Sequence, residues 1–380
     1  MANHRTGSGS CELGKALQAQ AAGATPSASH HGRSAVDAAR GARSAIWTPR
    51  ARRSTADAAM NRRTLLKAAA AAGSALAVPS ARAQPAAPSA APKPPAVWLD
   101  LDQKALDDAY DQSVWATNGK QVLERYAALS DDVRARLGAP QRLSYGATPV
   151  EALDVYRARD GAPIQIFIHG GAWRSGTAKE WAFPADLFVH RGAHFVVPDF
   201  VSVIDAGGVL AAMAEQVRSA IAWTYRNAGR FGGDRERIFL SAHSSGAHLA
   251  GVALTTDWKR LGLPADLVKG GVLLSGMYDL KPVRLSARSR YVHFDDATEQ
   301  SLSPQRHLAQ LHARLVVAYA SLDSPEFQRQ SRDFAAAVKA TGKPIDLLVA
   351  RGYNHFEAPE TLSNPYGLLG RAALGQMGLG

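Results

Sequence analysis

"RIFLSAHSSGAH", Arg237 to His248, joins an apolar run to two adjacent serines and a string of small residues. A short run rich in bulky apolar side chains, broken by small ones, reads as a buried strand that turns at once into a helix. A serine at such a turn is either a helix cap or a nucleophile held on a sharp elbow. The elbow needs small residues two before and two after the serine, because strand and helix approach closely around a strained turn. For Ser244 those positions are Ala242 and Gly246; for Ser245 they are His243 and Ala247. The histidine is too large, so sterics select Ser244. Ala242 stands where the G-x-S-x-G pattern has its first glycine. The N–H of Ser245, next after the nucleophile, is then expected in an oxyanion hole.

The flanks repeat the alternation. "ALDVYRA", "IQIFIHG", "HFVVPDF", "RIFLSAH", "GGVLLSG", "RLVVAYA" and "DLLVARG" read as strands. Between them, "AAMAEQVRSAIAWTYRNA" and "SPEFQRQSRDFAAAVKATG" carry apolar residues at helical spacing. Leu99 to Leu137 is polar and helical, anchored by Tyr110, Trp115 and Tyr126. Strand and helix in alternation predict an α/β fold, a mostly parallel sheet with helices on both faces. Sites in such sheets lie at the carboxyl ends of strands. One end reads His169-Gly170-Gly171-Ala172-Trp173. A glycine turn alone would explain it, but glycines also let backbone N–H groups converge without a Cβ in the way. A serine needs a base and an acid that orients it, expected in the order Ser, acid, His. Asp323 follows "RLVVAYA" and His355 follows "DLLVARG". Glu326 competes for the acid role, yet it lies past Pro325 inside a helix start, where a carboxylate suits the dipole; the loop position favours Asp323.

HGGAW, AHSSGAHLAG, SLDSPEFQRQS and YNHFE together resemble the arylformamidase (kynurenine formamidase-like) branch of the α/β-hydrolases, neighbour to the HGG-type carboxylesterases. The likeness runs from about Leu101 to the C-terminus. It implies a metal-free, cofactor-free hydrolase of small esters or formamides, with Ser244, Asp323 and His355 as its triad. Gly170, Gly171, Ala172 and Ser245 are expected to form the oxyanion hole. Trp173, Phe200, Met277, Tyr278 and Tyr353 follow strand ends and are the candidate lining of an apolar or aromatic pocket, although each taken singly reads as a core or rim residue. The long polar stretch Asp279–Pro304 is expected to form part of a lid, with Arg284, Arg288 and Arg290 read as solvated in preference to recognising an acidic substrate. An exported α/β-hydrolase-like binding protein without catalysis is the alternative reading.

Residues 1–59 are rich in Ala, Ser, Gly and Arg without apolar periodicity, which predicts disorder or a mis-assigned extension upstream of Met60. Residues 60–83 hold Arg62-Arg63, an apolar stretch and Ala81-Arg82-Ala83, and resemble a Tat export signal cleaved near Gln84. The apolar stretch is shorter than the ~20 residues a spanning helix needs, so no stable membrane anchor is expected. The expected partners are the Tat machinery and a small-molecule substrate, and the expected location is periplasmic or secreted. Residues 84–96 form a Pro/Ala linker, leaving 97–380 as the α/β-hydrolase domain. Of 44 basic and 33 acidic side chains, 12 and 3 precede Gln84, which leaves 32 and 30 and a nearly neutral (+2) remainder. That balance removes the case for nucleic acid. The single cysteine, Cys11, precedes the domain, so its stability must come from packing.

Overall fold

A computed structural model describes residues Pro94–Gly380. The expectations for 1–59, for the signal-like segment 60–83 and for most of the linker 84–96 lie outside the described residues.

Eight strands form one sheet: β1 (Gln141–Ser144), β2 (Ala152–Tyr156), β3 (Ala162–Ile168), β4 (His194–Pro198), β5 (Gly233–His243), β6 (Val268–Leu274), β7 (Arg314–Ala320) and β8 (Ile345–Ala350). Their order is β1-β2-β4-β3-β5-β6-β7-β8. β1 pairs antiparallel with β2, and β2 antiparallel with β4. From β4 to β8 every pairing is parallel. The helices are α1 (Gln103–Ala109), α2 (Gln112–Trp115), α3 (Gly119–Leu137), α4 (Ala185–His190) and α5 (Leu210–Asn227), then α6 (Ser245–Leu254), α7 (Leu280–Leu285), α8 (Asp296–Ser301), α9 (Pro325–Ala340) and α10 (Leu368–Met377). Sheet and helices together make the α/β-hydrolase fold that the motifs imply. Among the described residues no helix is long and apolar enough to cross a membrane.

Side-chain alternation along the strands divides the core in two. Ile164, Ile166 and Ile168 of β3 point to one face, where they meet α5, α6, α7 and α9. Phe167 points to the other, among residues of α3, α4 and α10. A strand buried on both faces needs no polar alternate, which is why β3 is apolar throughout except for the buried Gln165. α5 buries Met213, Val217, Ala220 and Ile221 at three- and four-residue spacing, one stripe against the sheet. α6 is different: every one of its residues is buried. Its all-round small and apolar sequence lets it lie beneath the sheet centre, directly behind β5, and this fixes where the elbow must be.

Candidate active site

Ser244 stands between the last residue of β5 and the first of α6, with φ 57° and ψ −124°. A left-handed φ at a serine is strained, by about 1–3 kcal/mol, and survives where the surroundings hold it. Here the Ser244 N–H donates to the Leu274 carbonyl at 2.9 Å. Gly246 shows why the following turn tolerates no side chain: a Cβ there would lie 2.2 Å from the Ile168 carbonyl oxygen. Ala242 is buried between Ile168 of β3 and Leu273 of β6 and carries its methyl there.

The Ser244 hydroxyl is 2.9 Å from His355 Nε2, across 111 residues of sequence. The other ring nitrogen, Nδ1, is 2.8 Å from Asp323 Oδ1. With the Nδ1–H donating to the carboxylate, Nε2 is left as the acceptor for the serine. The second carboxylate oxygen accepts from the Ser275 hydroxyl at 2.6 Å and the Ala320 N–H at 2.8 Å. Ser275 is fully buried at the end of β6, itself at φ 51°. No sequence motif singles it out. Phe327 and Phe356 meet the His355 ring edge-on at 5.0 and 5.3 Å. The His243 ring lies 4.6 Å away, and burial, followed by the neighbouring His355, holds its pKa well below the usual imidazole value. Glu326 is engaged elsewhere: it accepts from the Tyr110 hydroxyl at 2.8 Å and from two nitrogens of Arg329 at 2.6 and 2.8 Å.

The loop after β3 comes against this serine. A Cβ on Gly170 would lie 3.2 Å from Ser244 Cβ, so only glycine sits there comfortably. Gly171, Ala172 and Trp173 follow at φ 124°, 55° and 63°. This run is pinned by three bonds: Trp173 N–H to Ser245 Oγ at 3.2 Å, Val203 N–H to the Trp173 carbonyl at 2.8 Å, and Arg174 N–H to the Gly171 carbonyl at 2.9 Å. Among the described residues the N–H groups of Gly171, Ala172 and Ser245 have no hydrogen-bond partner. Ser245 opens α6, where helix geometry leaves the first N–H groups unpaired. Preorganised donors beside a buried serine are what a developing oxyanion requires.

The BD-FAE family model matches residues 153–267. Kynurenine formamidase from Salmo salar is 30% identical over 280 residues, covering 70% of this chain and 93% of the relative. The chain belongs to the arylformamidase branch of the α/β-hydrolases. As a member of that branch it is a hydrolase. The Danio rerio kynurenine formamidase is 28% identical and covers 74% of this chain and 98% of its own. The fold recurs in esterase LipW from Mycobacterium marinum, with TM-score 0.56, 18% identity, and 73% and 94% of the two chains covered. It recurs again in carboxyl esterase 2 from Tuber melanosporum, with TM-score 0.53, 19% identity, and coverage of 63% and 85%.

In this branch member Ser244, His355, Gly171 and Ala172 open into a cavity of 720 Å³. The five residues expected to line it do not. Trp173 is buried beneath the loop, edge-on to His248. Phe200 stacks on His169 at 4.4 Å, and Tyr278 on Phe334 at 4.1 Å. Met277 is fully buried, and Tyr353 faces outward, 40% exposed. The aromatic lining comes instead from Tyr110, Tyr126, Trp181, Tyr291 and Phe356. Tyr110 and Tyr126 are two of the three anchors read from the N-terminal helical segment; the third, Trp115, is 40% exposed and anchors nothing, and the position of the segment over the strand ends was not legible. The Asp279–Pro304 stretch supplies one wall through Ala287, Arg288, Arg290 and Tyr291. Arg284 pairs with Asp296 and Glu299. Arg288 is not solvated as expected: it is only 6% exposed. Among the described residues no group of three or more His, Cys, Asp or Glu is arranged to hold a metal ion.

Proposed function

We propose that this hydrolase is a serine enzyme that cleaves small carboxylic esters or aryl formamides through a covalent acyl-enzyme. The observation that carries the reading is the continuous hydrogen-bonded line from Ser244 Oγ through His355 to Asp323, at 2.9 and 2.8 Å. The Ser244 oxygen attacks the carbonyl carbon while His355 Nε2 takes its proton. The oxyanion accepts from N–H groups of the Gly170–Ala172 loop and of Ser245; one such donor contributes ~3 kcal/mol to the barrier. Asp323 holds the Nδ1–H tautomer and stabilises the imidazolium. His355 then returns the proton to the departing alcohol or amine, leaving an ester on Ser244. Water, activated by His355, attacks that ester, and the acid leaves as the serine is restored. The kynurenine formamidases and esterases among the relatives support both bond types.

The test compares a short-chain p-nitrophenyl ester with N-formylkynurenine, using wild type and Ser244→Ala. The variant should lose on the order of 10⁴-fold or more in kcat on whichever substrate is turned over. Surviving activity would mean that a different nucleophile operates. We also infer export, from the twin-arginine segment at 60–83. N-terminal sequencing of protein recovered outside the cytoplasm should begin near Gln84; an intact Met60 there would refute cleavage.

A further inference from the structure

The amino ends of the parallel strands form a basic face. Segments 157–161, 191–193, 226–237, 256–269, 307–314 and 339–346 lead the chain into β3, β4, β5, β6, β7 and β8 in turn. Because these strands are parallel, all six segments gather at one end of the sheet, the end opposite the elbow. They hold thirteen basic and six acidic side chains, a net +7, while the rest of residues 94–380 holds 18 and 24, a net −6. A nearly neutral domain is therefore strongly polarised. Five of the six acids are already paired with an Arg or Lys of the same face. Among the described residues, the other eight cations of the face form no ion pair.

Six of those eight, Arg159, Arg191, Arg226, Arg230, Lys259 and Arg260, are exposed and follow one another along a row of touching segments. A Cβ on Gly192, beside Arg191, would lie 3.9 Å from Arg159 Nε. The Gly161 N–H donates to the Gly232 carbonyl at 2.7 Å, and Arg157 Nε to the Phe231 carbonyl at 3.0 Å. Arg226 Nη2 donates to the Leu261 carbonyl at 3.3 Å. The row is not purely polar. Leu261 stands 43% exposed directly after Lys259 and Arg260. Trp223 and Tyr225 are half-buried, with the guanidinium carbons of Arg230 and Arg235 each 5.6 Å from their rings. Cations beside an exposed leucine and half-buried aromatic rings suit a surface that is anionic outside and apolar beneath. A soluble polyanion offers the first without the second.

We propose that this face docks reversibly on a lipid bilayer rich in anionic headgroups, which turns the catalytic cavity away from the lipid and toward solvent. The negative remainder of the molecule is repelled by the same surface and fixes that orientation. Docking does not involve Ser244, so it stands or falls apart from the hydrolytic reading.

The test is amide hydrogen exchange on the full-length protein, with and without phosphatidylcholine vesicles that hold about 30% phosphatidylglycerol. The segment before Gln84 is itself basic, so the readout is local, at residues 226–237 and 256–262. These should be protected by the anionic vesicles, but not by phosphatidylcholine alone, nor at about 0.5 M NaCl, where screening is strong. Arg159→Glu/Arg230→Glu/Arg260→Glu should raise the lipid needed for half-protection by about 100-fold or more. Lys104→Glu/Lys120→Glu/Lys281→Glu, an equal charge change near the strand carboxyl ends, should alter it less than about threefold. Leu261→Ser should raise it about fivefold. Protection that is absent with anionic vesicles, persists in the first triple variant, or falls on residues 110–126 of the cavity roof instead would overturn the proposal. So would protection that ignores Leu261→Ser and is matched by duplex DNA, which would assign the face to a soluble polyanion. If the first triple variant does not fold, the salt and lipid dependence of wild type, with Leu261→Ser, decides the same question. Turnover of a p-nitrophenyl ester should be unchanged in that variant, so loss of docking and loss of hydrolysis are read separately.

Discussion

Ser275 contributes to the site from one shell out. Its hydroxyl holds the carboxylate oxygen of Asp323 that His355 does not use. A hydrogen bond to a charged group is worth about 1.5–3 kcal/mol. Ser275→Ala should therefore lower kcat by roughly 10-fold or more with KM little changed, as steady-state rates on a p-nitrophenyl ester will show. Gly246→Ala is more severe, because the new methyl meets two backbone carbonyls, those of Ile168 and His169. Neither can yield as a side-chain end would. The expected result is a protein that folds poorly, or one that folds with Ser244 withdrawn and resists labelling by a fluorophosphonate. These two residues mark what was legible at this scale. Gly246 follows from the elbow's steric rule, which is local and readable in a pentapeptide. Ser275 does not, because a serine after an apolar strand is ordinary and its partner lies 48 residues away. The lining residues failed for a related reason: following a strand end in sequence says nothing about which way the side chain then turns.

Each of the seven apolar runs read as strands corresponds to a strand of the sheet, and both long helical patterns to α5 and α9. β1 escaped because it is an edge strand with three of its four residues exposed, so it has no apolar run to betray it. The roof over the cavity escaped for another reason. α1 to α3 read as helices, but only tertiary bonds show where they sit, such as the Arg288–Tyr110 contact and the bond from the Tyr126 hydroxyl to the Phe356 carbonyl. α9 is tied to this roof through its cap. The Ser324 hydroxyl accepts from the Phe327 N–H at 3.4 Å and donates to the Ala109 carbonyl at 2.6 Å, joining the first turn of α9 to the end of α1. Ser324→Ala should lower the unfolding free energy by about 1–2 kcal/mol. Urea unfolding measures it; an unchanged midpoint would show that the cap is replaceable by solvent.

At the scale of the described domain, four buried histidines are expected to weaken the fold in acid. His169, His194, His243 and His248 all have pKa values pushed down, first by burial. His248, which bonds the Leu302 carbonyl at 2.8 Å, is lowered to about 4. In the unfolded chain an imidazole takes up its proton near pH 6.5. Between about 6.5 and 4 the unfolded state therefore binds more protons, so stability falls as pH falls through that window, by on the order of 3 kcal/mol from His248 alone. His248→Gln should flatten this dependence, read from urea unfolding at pH 7 and pH 4.5; an unaltered slope would assign it to other groups. The bond between Tyr126 and Phe356 spans 230 residues, and this has a meaning in time as well as space. Synthesis runs from the N-terminus, so the roof, the glycine loop and the elbow are all made before His355. A nascent chain halted before His355 carries Ser244 without the imidazole that its hydroxyl meets in the finished fold. On the proposed mechanism the chain stays silent while it is made, until the segment that carries His355 has joined the fold.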